Sequence, residues 1–598
     1  MLDAILDRIS VIRIVKKFYS ILSAQQRHRI FVLAILMVIG GFLEMLSVSL
    51  VLPFMEVVMS PEETMQKPYV RILCDLFDIN SDRTFIVALA FLLALLFLLK
   101  NAYLLLEYNI QCRFVYQNEL YFQSSLLSAF LHRSYEYYLG ANSGEIIRIV
   151  SEDTPVAFYM FVTMLQFFSE LFVSVALIGT VFIVSPAITI WIAIILITLL
   201  AIITCFIKPA LRNASLSFQT SVSEMNKWLL QSIHGIKEIK VVKRESYFQR
   251  SFDKYGEQKT IADRRRDFYG VIPRFLIEAF SMSTMFIVVG IMIYKGKEIE
   301  SLIPMLTAIV MAALRLLPSV NRMSACLSNI SYSEPMLDNL IENLCFLRKD
   351  EGGYAIKKLQ LKNSDQISSS SQINGINEKL EICGITYKYP QGDVNVLTEA
   401  SFEVLSGESV GIIGASGAGK TTAVDIILGL LQPQSGRILV DGKDISDDMK
   451  GWLSQIGYIP QMIFMLDDTI RANVAFGKET IEINDEEVWQ AIDESSLGEF
   501  VRSLPNGLDT RIGERGVRLS GGQRQRIGIA RALYLHPSLL ILDEATSALD
   551  SETEKDIIDS INHLHGKKTM IIIAHRLTTI EACDHVFKVE NGKITLER

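Results

Sequence analysis

The stretch SVGIIGASGAGKTTAVDIILGL, Ser409–Leu430, decides the class of the C-terminal half of the chain. A strand-like apolar run enters a glycine-rich turn, and a helix-compatible run leaves it. Gly414, Gly417 and Gly419 permit the backbone to wrap around phosphate oxygens. Ala415, Ser416 and Ala418 fill the loop between them, and the amides at the helix start supply positive potential. In such a loop Lys420 reaches the β- and γ-phosphates, and the Thr421 hydroxyl ligates Mg²⁺ with Thr422 beside it. A chance glycine turn would lack the strand before it and the helix after it.

Farther on, LLILDEATSALD (Leu539–Asp550) has the form of a buried strand that ends in acid. Asp543 is placed to hold the metal through water, and Glu544 at the strand exit to polarise an attacking water as general base. Two solvated carboxylates capping a surface strand would not follow so apolar a run. MIIIAHR (Met570–Arg576) places His575 at the end of another core strand, suited to contact the γ-phosphate. Gln461, in YIPQ, is a candidate metal ligand. Tyr389, in YKYP, either fills the core or stacks on adenine.

GVRLSGGQRQRIGIARAL, Gly516–Leu533, poses a puzzle, because it is a second phosphate grip in a domain that already has one. Ser520, Gly521, Gly522 and Gln523 have no room on the same nucleotide unless they approach from its far side. Taken in order, GASGAGKT, LSGGQ, LILDE, SALD and a strand-terminal histidine resemble an ATP-binding cassette over roughly 379–598. That resemblance implies two cassettes sandwiching two ATP molecules head to tail, each signature loop capping the nucleotide on the other's P-loop. With one cassette per chain, it implies a homodimer with ATP and Mg²⁺ as cofactors. It also implies that Lys420, Glu544 and His575 are catalytic, that Thr421, Gln461 and Asp543 surround the metal, and that both sites hydrolyse. TRIGERG (Thr510–Gly516) resembles the segment with which exporter-type cassettes touch their membrane domain.

The front half is of another kind. The chain has 598 residues, too many for one domain, and half of them are hydrophobic. A net charge of −8 argues against a nucleic-acid binder. Seven cysteines lie scattered without C-x-x-C spacing and read as single reduced or buried thiols. A bilayer core of about 30 Å needs about 20 apolar residues to cross it. Six runs qualify, at 30–59, 84–108, 158–184, 187–207, 271–294 and 302–321. The first 29 residues carry Lys16, Lys17, Arg27 and Arg29 and do not read as a cleavable signal peptide.

Segments 109–157 and 208–270 are long, helical in pattern and rich in Lys and Arg. They therefore lie in the cytosol with both termini of an inner-membrane protein, and the second to fifth spans should extend tens of ångströms into it. Short turns near Gly144 and Gly235 are expected to plug into the cassettes. PYVRILCDLF (Pro68–Phe77) has helical apolar spacing and reads either as an amphipathic helix on the outer leaflet or as a loop helix packed on the bundle. The expected domains are a transmembrane domain at 1–347, a Ser/Asn-rich flexible linker at 348–378 and a nucleotide-binding domain at 379–598. The fold class is thus an all-α polytopic membrane domain of six transmembrane helices plus a C-terminal α/β P-loop ATPase cassette.

Six spans followed by one cassette resemble the exporter class. Arg315 sits in the last span, Arg322 seven residues on along the same helical face, and Arg274 at the inner end of the fifth span. Two chains would make of them a basic ring suited to pyrophosphate. Alternatively, Arg274 and Arg322 snorkel to the interface and Arg315 pairs with Glu44 or Glu278. The ring together with an outer helix resembles the lipid-linked oligosaccharide flippases, which implies a polyprenyl-pyrophosphate glycan as cargo. A general lipid or drug exporter is the alternative within the class, and an ATP-gated channel or regulator the alternative outside it.

Overall fold

The computed structural model describes residues 10–49, 82–184, 206–294, 299–350, 373–390, 392–544, 561–574, 576 and 580–598, with 54, 58, 555 and 558 as isolated positions. The expected outer helix at 68–77, nearly all of the fourth span and His575 lie outside the described residues. The chain divides into two compact units. One comprises 1–133 and 140–362, the other 134–139 and 363–598.

The first unit is helical: α1 (Ser10–Ile21), α2 (Ala24–Ser49), α3 (Asp82–Leu131), α5 (Ser143–Arg148), α6 (Thr154–Val184), α7 (Lys208–His234), α8 (Glu245–Tyr294) and α9 (Ile299–Asp350). The short α4 (Tyr135–Gly140) precedes α5 and belongs almost entirely to the second unit. At 50 residues, α3 is about 75 Å long, more than twice a hydrocarbon core. Among the described residues, the segments Ala24–Leu43, Arg83–Leu131 and Ser143–Val175 are long and apolar enough to cross a membrane.

The sequence pattern gave no element before residue 30, yet α1 forms there. Ile14, Phe18 and Ile21 recur at helical spacing and are buried. Phe18 meets Phe158 edge-on at 6.3 Å, and Lys17 pairs with Asp338.

Between α5 and α6 a single π-turn, Ile149–Asp153, widens the helix. Its i→i+5 spacing brings Arg148 and Asp153 into register. They form an ion pair with Arg148 3% and Asp153 0% exposed. Arg148 also donates to Ser223 Oγ at 2.8 Å and to Gln219 Oε1 at 3.3 Å, and Asn339 Nδ2 donates to Gln219 at 2.6 Å. One guanidinium thereby ties the α5–α6 junction to α7, and Gln219 ties α7 to α9. A buried charge is tolerable only with partners of this kind.

The cassette holds two sheets. The alternation of strand and helix predicts a largely parallel sheet, and one forms, in the order β10-β9-β3-β8-β7-β6. Its strands are β3 (Ser409–Gly414), β6 (Ile456–Ile459), β7 (Leu539–Asp543), β8 (Thr569–Ile573), β9 (His585–Glu590) and β10 (Lys593–Leu596), with only β10 antiparallel. A second, antiparallel sheet of β2 (Leu397–Leu405), β1 (Lys379–Tyr387), β4 (Ser435–Val440) and β5 (Lys443–Asp444) is added to it. Ile373 and Ile376 are buried in the cassette core, so its packing starts inside the stretch expected to be linker.

Strand alternation sorts the core into two layers. Leu539, Ile541, Ile571 and Ile573 face one layer, which includes Val424 and Ile427 of the P-loop helix α10 (Lys420–Ile427). Leu540, Leu542, Met570 and Ile572 face the other, which includes Ile527, Ala530 and Leu533 of the signature helix α12 (Gly521–Tyr534). Between these two in the chain, α11 (Asp485–Glu494) packs in the second layer through Val488 and Ile492. The two phosphate-type turns thus belong to helices on opposite faces of one sheet.

Candidate functional site: the nucleotide edge of the cassette

Four neighbouring parallel strands carry the expected chemistry at their C-terminal ends. β3 runs into the P-loop, β7 ends at Asp543 and β8 at Ile573, and Gln461 follows β6 by two residues. Open α/β sheets bind ligands at this edge, because every strand delivers its last side chains there.

The P-loop backbone requires its glycines. Gly414, Gly417 and Gly419 have φ of 154°, 78° and 107°. A Cβ on Gly414 would lie 2.5 Å from the Val589 carbonyl. Lys420 is 5% exposed, and its ammonium donates to the Gly414 and Ala415 carbonyls at 3.0 and 3.1 Å. Ala415, Ser416 and Thr421 are exposed, Ala418 is half-buried and Thr422 is buried. Tyr389 and Thr422 share a hydroxyl hydrogen bond of 3.0 Å, and the Tyr389 ring stands edge-on to Tyr387 at 5.1 Å.

At the end of β7, Asp543 is 6% exposed. Burial raises its carboxyl above the ordinary value and the charge of Glu544 adds to this. Lys420 and a hydrogen bond from the Tyr458 hydroxyl act the other way. Glu544 has φ 48°, a left-handed conformation unusual for a side-chain-bearing residue and typical of stored strain at functional positions. Its amide donates to the Ile573 carbonyl at 3.0 Å, and its carboxylate accepts from Gln461 Nε2 at 2.7 Å. The backbone therefore aims Glu544 across the strand ends, and Gln461 meets it there. Asp543, Gln461 and Thr421 offer hard oxygen donors of the sort Mg²⁺ prefers, so the donor set fits that ion. When bound, Mg²⁺ neutralises charge on the β- and γ-phosphates.

Two residues here were not singled out from the sequence. Burial, then the charge of Asp543, pushes the Asp425 carboxyl on α10 up to about 6. Tyr458 on β6 pairs in register with Ile541, two residues before Asp543 and on the same face. The signal for Asp425 was an acid at a core-facing position of the apolar run AVDII.

In the signature turn, Ser520 caps α12. Its hydroxyl accepts from the Gln523 amide at 3.2 Å, and the Gln523 side chain accepts from the Ser520 amide at 2.9 Å, a complete capping box. Ser520 and Gly521 are exposed, Gly522 is buried and Gln523 is half-buried. In TRIGERG, Gly513, Arg515 and Gly516 all have positive φ, while Arg511, Glu514 and Arg515 are exposed.

Residues 134–139 pack with the cassette, where Tyr387 Oη donates to Glu136 Oε1 at 3.1 Å. The loop contact expected near Gly144 thus falls a few residues earlier. Gly144 itself packs against the backbone of α7 at Ser223 and Lys227, where a side chain would not fit. Gly235 lies in the first unit and caps α7.

Of the three arginines expected from the sequence to form a basic ring, Arg274 is exposed, and the Arg315 side chain lies outside the described residues. Arg322 pairs with Glu170 on α6 at 2.6 Å, a partner not anticipated from the sequence.

A P-loop ATPase with a second, outward-facing phosphate-type turn, joined to long membrane-type helices, defines an ATP-driven membrane machine. The family model described as "ABC transporter" matches residues 397–547, and that described as "ABC transporter transmembrane region" matches 30–314. The chain is 30% identical to an ATP-dependent lipid A-core flippase of Desulfotalea psychrophila, over 78% of this chain and 79% of that one. It is 28% identical to ABC transporter B family member 29, chloroplastic, of Arabidopsis thaliana, over 78% and 72%. A 36% match to ABC transporter B family member 14 of the same plant covers 44% of this chain but only 22% of that larger protein. A solved bacterial Atm1-family ABC exporter with ATP bound has the same fold, with a TM-score of 0.75 over 96% of this chain and 95% of that one at 21% identity. The chain belongs to the ABC transporters. It is an integral membrane protein with an ATP-binding cassette whose ATPase activity is coupled to transport.

Proposed function

We propose that two copies of this chain form an exporter of the cytoplasmic membrane that flips a lipid-linked, pyrophosphate-bearing glycan, with both termini in the cytosol. Lys420, Glu544 and His575 act in hydrolysis. Thr421, Gln461 and Asp543 hold Mg²⁺, and Ser520–Gln523 close the nucleotide on the other chain's P-loop. Support for the dimer comes from the two faces of the cassette sheet: a P-loop helix on one face and a signature helix on the other cannot grip a single nucleotide from both sides within one chain. Lipid cargo is supported by three relatives named ATP-dependent lipid A-core flippase.

The observation that carries the anionic headgroup is α9 itself. The helix runs unbroken through 315 and 322, so both arginines stand on one face, and the Arg322 side chain is 53% exposed. The Glu170 pairing favours the second reading, a general lipid or multidrug exporter, in which Arg322 is a brace. Reconstituted vesicles separate the two. The flippase reading expects translocation of lipid-linked glycan to fall at least tenfold in Arg315→Ala. Wild-type translocation in that variant, or transport of neutral lipids alone, would reject it.

A further inference from the structure

The exits of β6 and β7 lie side by side at the nucleotide edge. In their parallel pairing Tyr458 stands beside Ile541, so its side chain shares a sheet face with Ile541 and, two residues on, with Asp543. There it is half-buried and packs against the layer that holds the P-loop helix. Its hydroxyl donates to the Asp543 carboxylate. Three residues later, Gln461 Nε2 donates to Glu544 Oε2 at 2.7 Å. One strand exit thus holds both acids of its neighbour, the first by a phenol and the second by an amide. Packing alone does not call for that phenol, since a phenylalanine would fill the same apolar layer. A second acid, Asp425 on α10, lies near both Tyr458 and Asp543. Like charges in one corner turn each other aside, and a donor on Asp543 resists this.

We propose that Tyr458 is a positioning residue for the metal: its hydroxyl occupies one oxygen of Asp543 and leaves the other to serve Mg²⁺. This rests on the assignment of Asp543 to the metal above and deepens it. A carboxylate has two oxygens that can each accept, and fixing one gives the group a single orientation before the metal arrives. Outer partners of metal-holding groups act in this way, and their loss weakens metal binding by roughly 10–100-fold. The effect is specific to the metal, because the P-loop backbone and Lys420 take the phosphates without help from Tyr458.

The test uses the full-length chain in nanodiscs. Mn²⁺ is the metal probe, read by electron paramagnetic resonance at saturating ATP, and ATP binding in EDTA is measured beside it. Tyr458→Phe removes one oxygen. It should weaken Mn²⁺ binding about tenfold and leave metal-free ATP affinity as in wild type. Excess Mg²⁺ should restore most of its ATP turnover. Should Tyr458→Phe fail to fold, Tyr458→His decides: with a donor on a shorter ring it should lose less Mn²⁺ affinity, and again none for metal-free ATP. A residue that only packs would lower both affinities together. A folded variant with wild-type Mn²⁺ binding, or with equal losses in the two assays, overturns the inference while Asp543→Asn still weakens Mn²⁺ binding. Wild-type Mn²⁺ binding in Asp543→Asn removes Asp543 from the metal and overturns both.

Discussion

The two glycine-rich turns of the cassette share a composition and differ in physics. In the P-loop, Gly414, Gly417 and Gly419 lie at positive φ, and their lack of a side chain shapes the backbone. In the signature, Gly521 and Gly522 open an ordinary right-handed helix behind a Ser520–Gln523 capping box, so their backbone needs no glycine. What their bareness provides is an unobstructed helix N-terminus at the surface. The first turn is a cradle for a ligand of its own chain, and the second is a face offered outward.

The largest expected effect lies at the strand edge that the P-loop borders. Glu544→Gln should lower steady-state phosphate release at least a hundredfold, the scale of a lost general base. It should also leave an ATP-bound species of twice the chain mass in size-exclusion light scattering. Retained turnover would remove Glu544 from the chemistry, and a monomeric ATP complex would collapse the distinction between cradle and outward face.

A pair of matched substitutions sharpens the comparison. Gly419→Ala forces a side chain to φ 107° with its Cβ 3.1 Å from the Val396 carbonyl. Strain of this sort costs roughly 1–3 kcal/mol, and the cassette's melting transition should fall by about 3–8 °C in calorimetry. Gly521→Ala meets no such strain, and alanine favours a helix over glycine by about 1 kcal/mol. Its melting transition should hold or rise while turnover drops at least tenfold. Wild-type turnover in Gly521→Ala would show that nothing docks on that face.

The smallest effect concerns the helices behind the turns. On the P-loop side, Asp425 is pushed from an ordinary 3.8 up to about 6. The folded cassette therefore holds a proton across a window in which the unfolded chain has released it. Stability contributed by this group is present below pH 4, declines as pH rises from about 4 to 6, and is absent above that. On the signature side, burial presses Arg531 down to about 10, still far above neutral. Asp425→Asn should therefore raise the cassette melting temperature by about 1–3 °C at pH 7.5. At pH 4 it should change nothing. A constant shift at both pH values would mean that Asp425 acts through packing alone.

Much of the cassette was legible because its signals are local. A strand, three glycines, a lysine and a threonine in succession specify a loop whatever surrounds them, and an apolar run ending in two acids specifies a strand exit. The first three spans were legible for a similar reason, since hydropathy is additive along a helix. What escaped depends on which distant segments touch. Glu170 reads as one more acid until α6 is laid against α9, and Asp425 acquires its shift from burial in the folded cassette first and from the charge of Asp543 second. The antiparallel sheet was missed because β1, β2 and β4 pair across intervening chain. The π-turn that aligns Arg148 with Asp153 leaves no mark in residue periodicity. Tyr389 was noticed for its place before a proline, but its bond to Thr422 followed from no pattern.

The bond between Tyr387 and Glu136 joins residues 251 positions apart, and the tyrosine is fully buried. During synthesis the cassette emerges last, yet part of its wall is a six-residue helix made long before. The C-terminal domain thus completes itself on a keepsake from the first half of the chain. Expressed alone, it would lose the carboxylate that accepts from its Tyr387 hydroxyl.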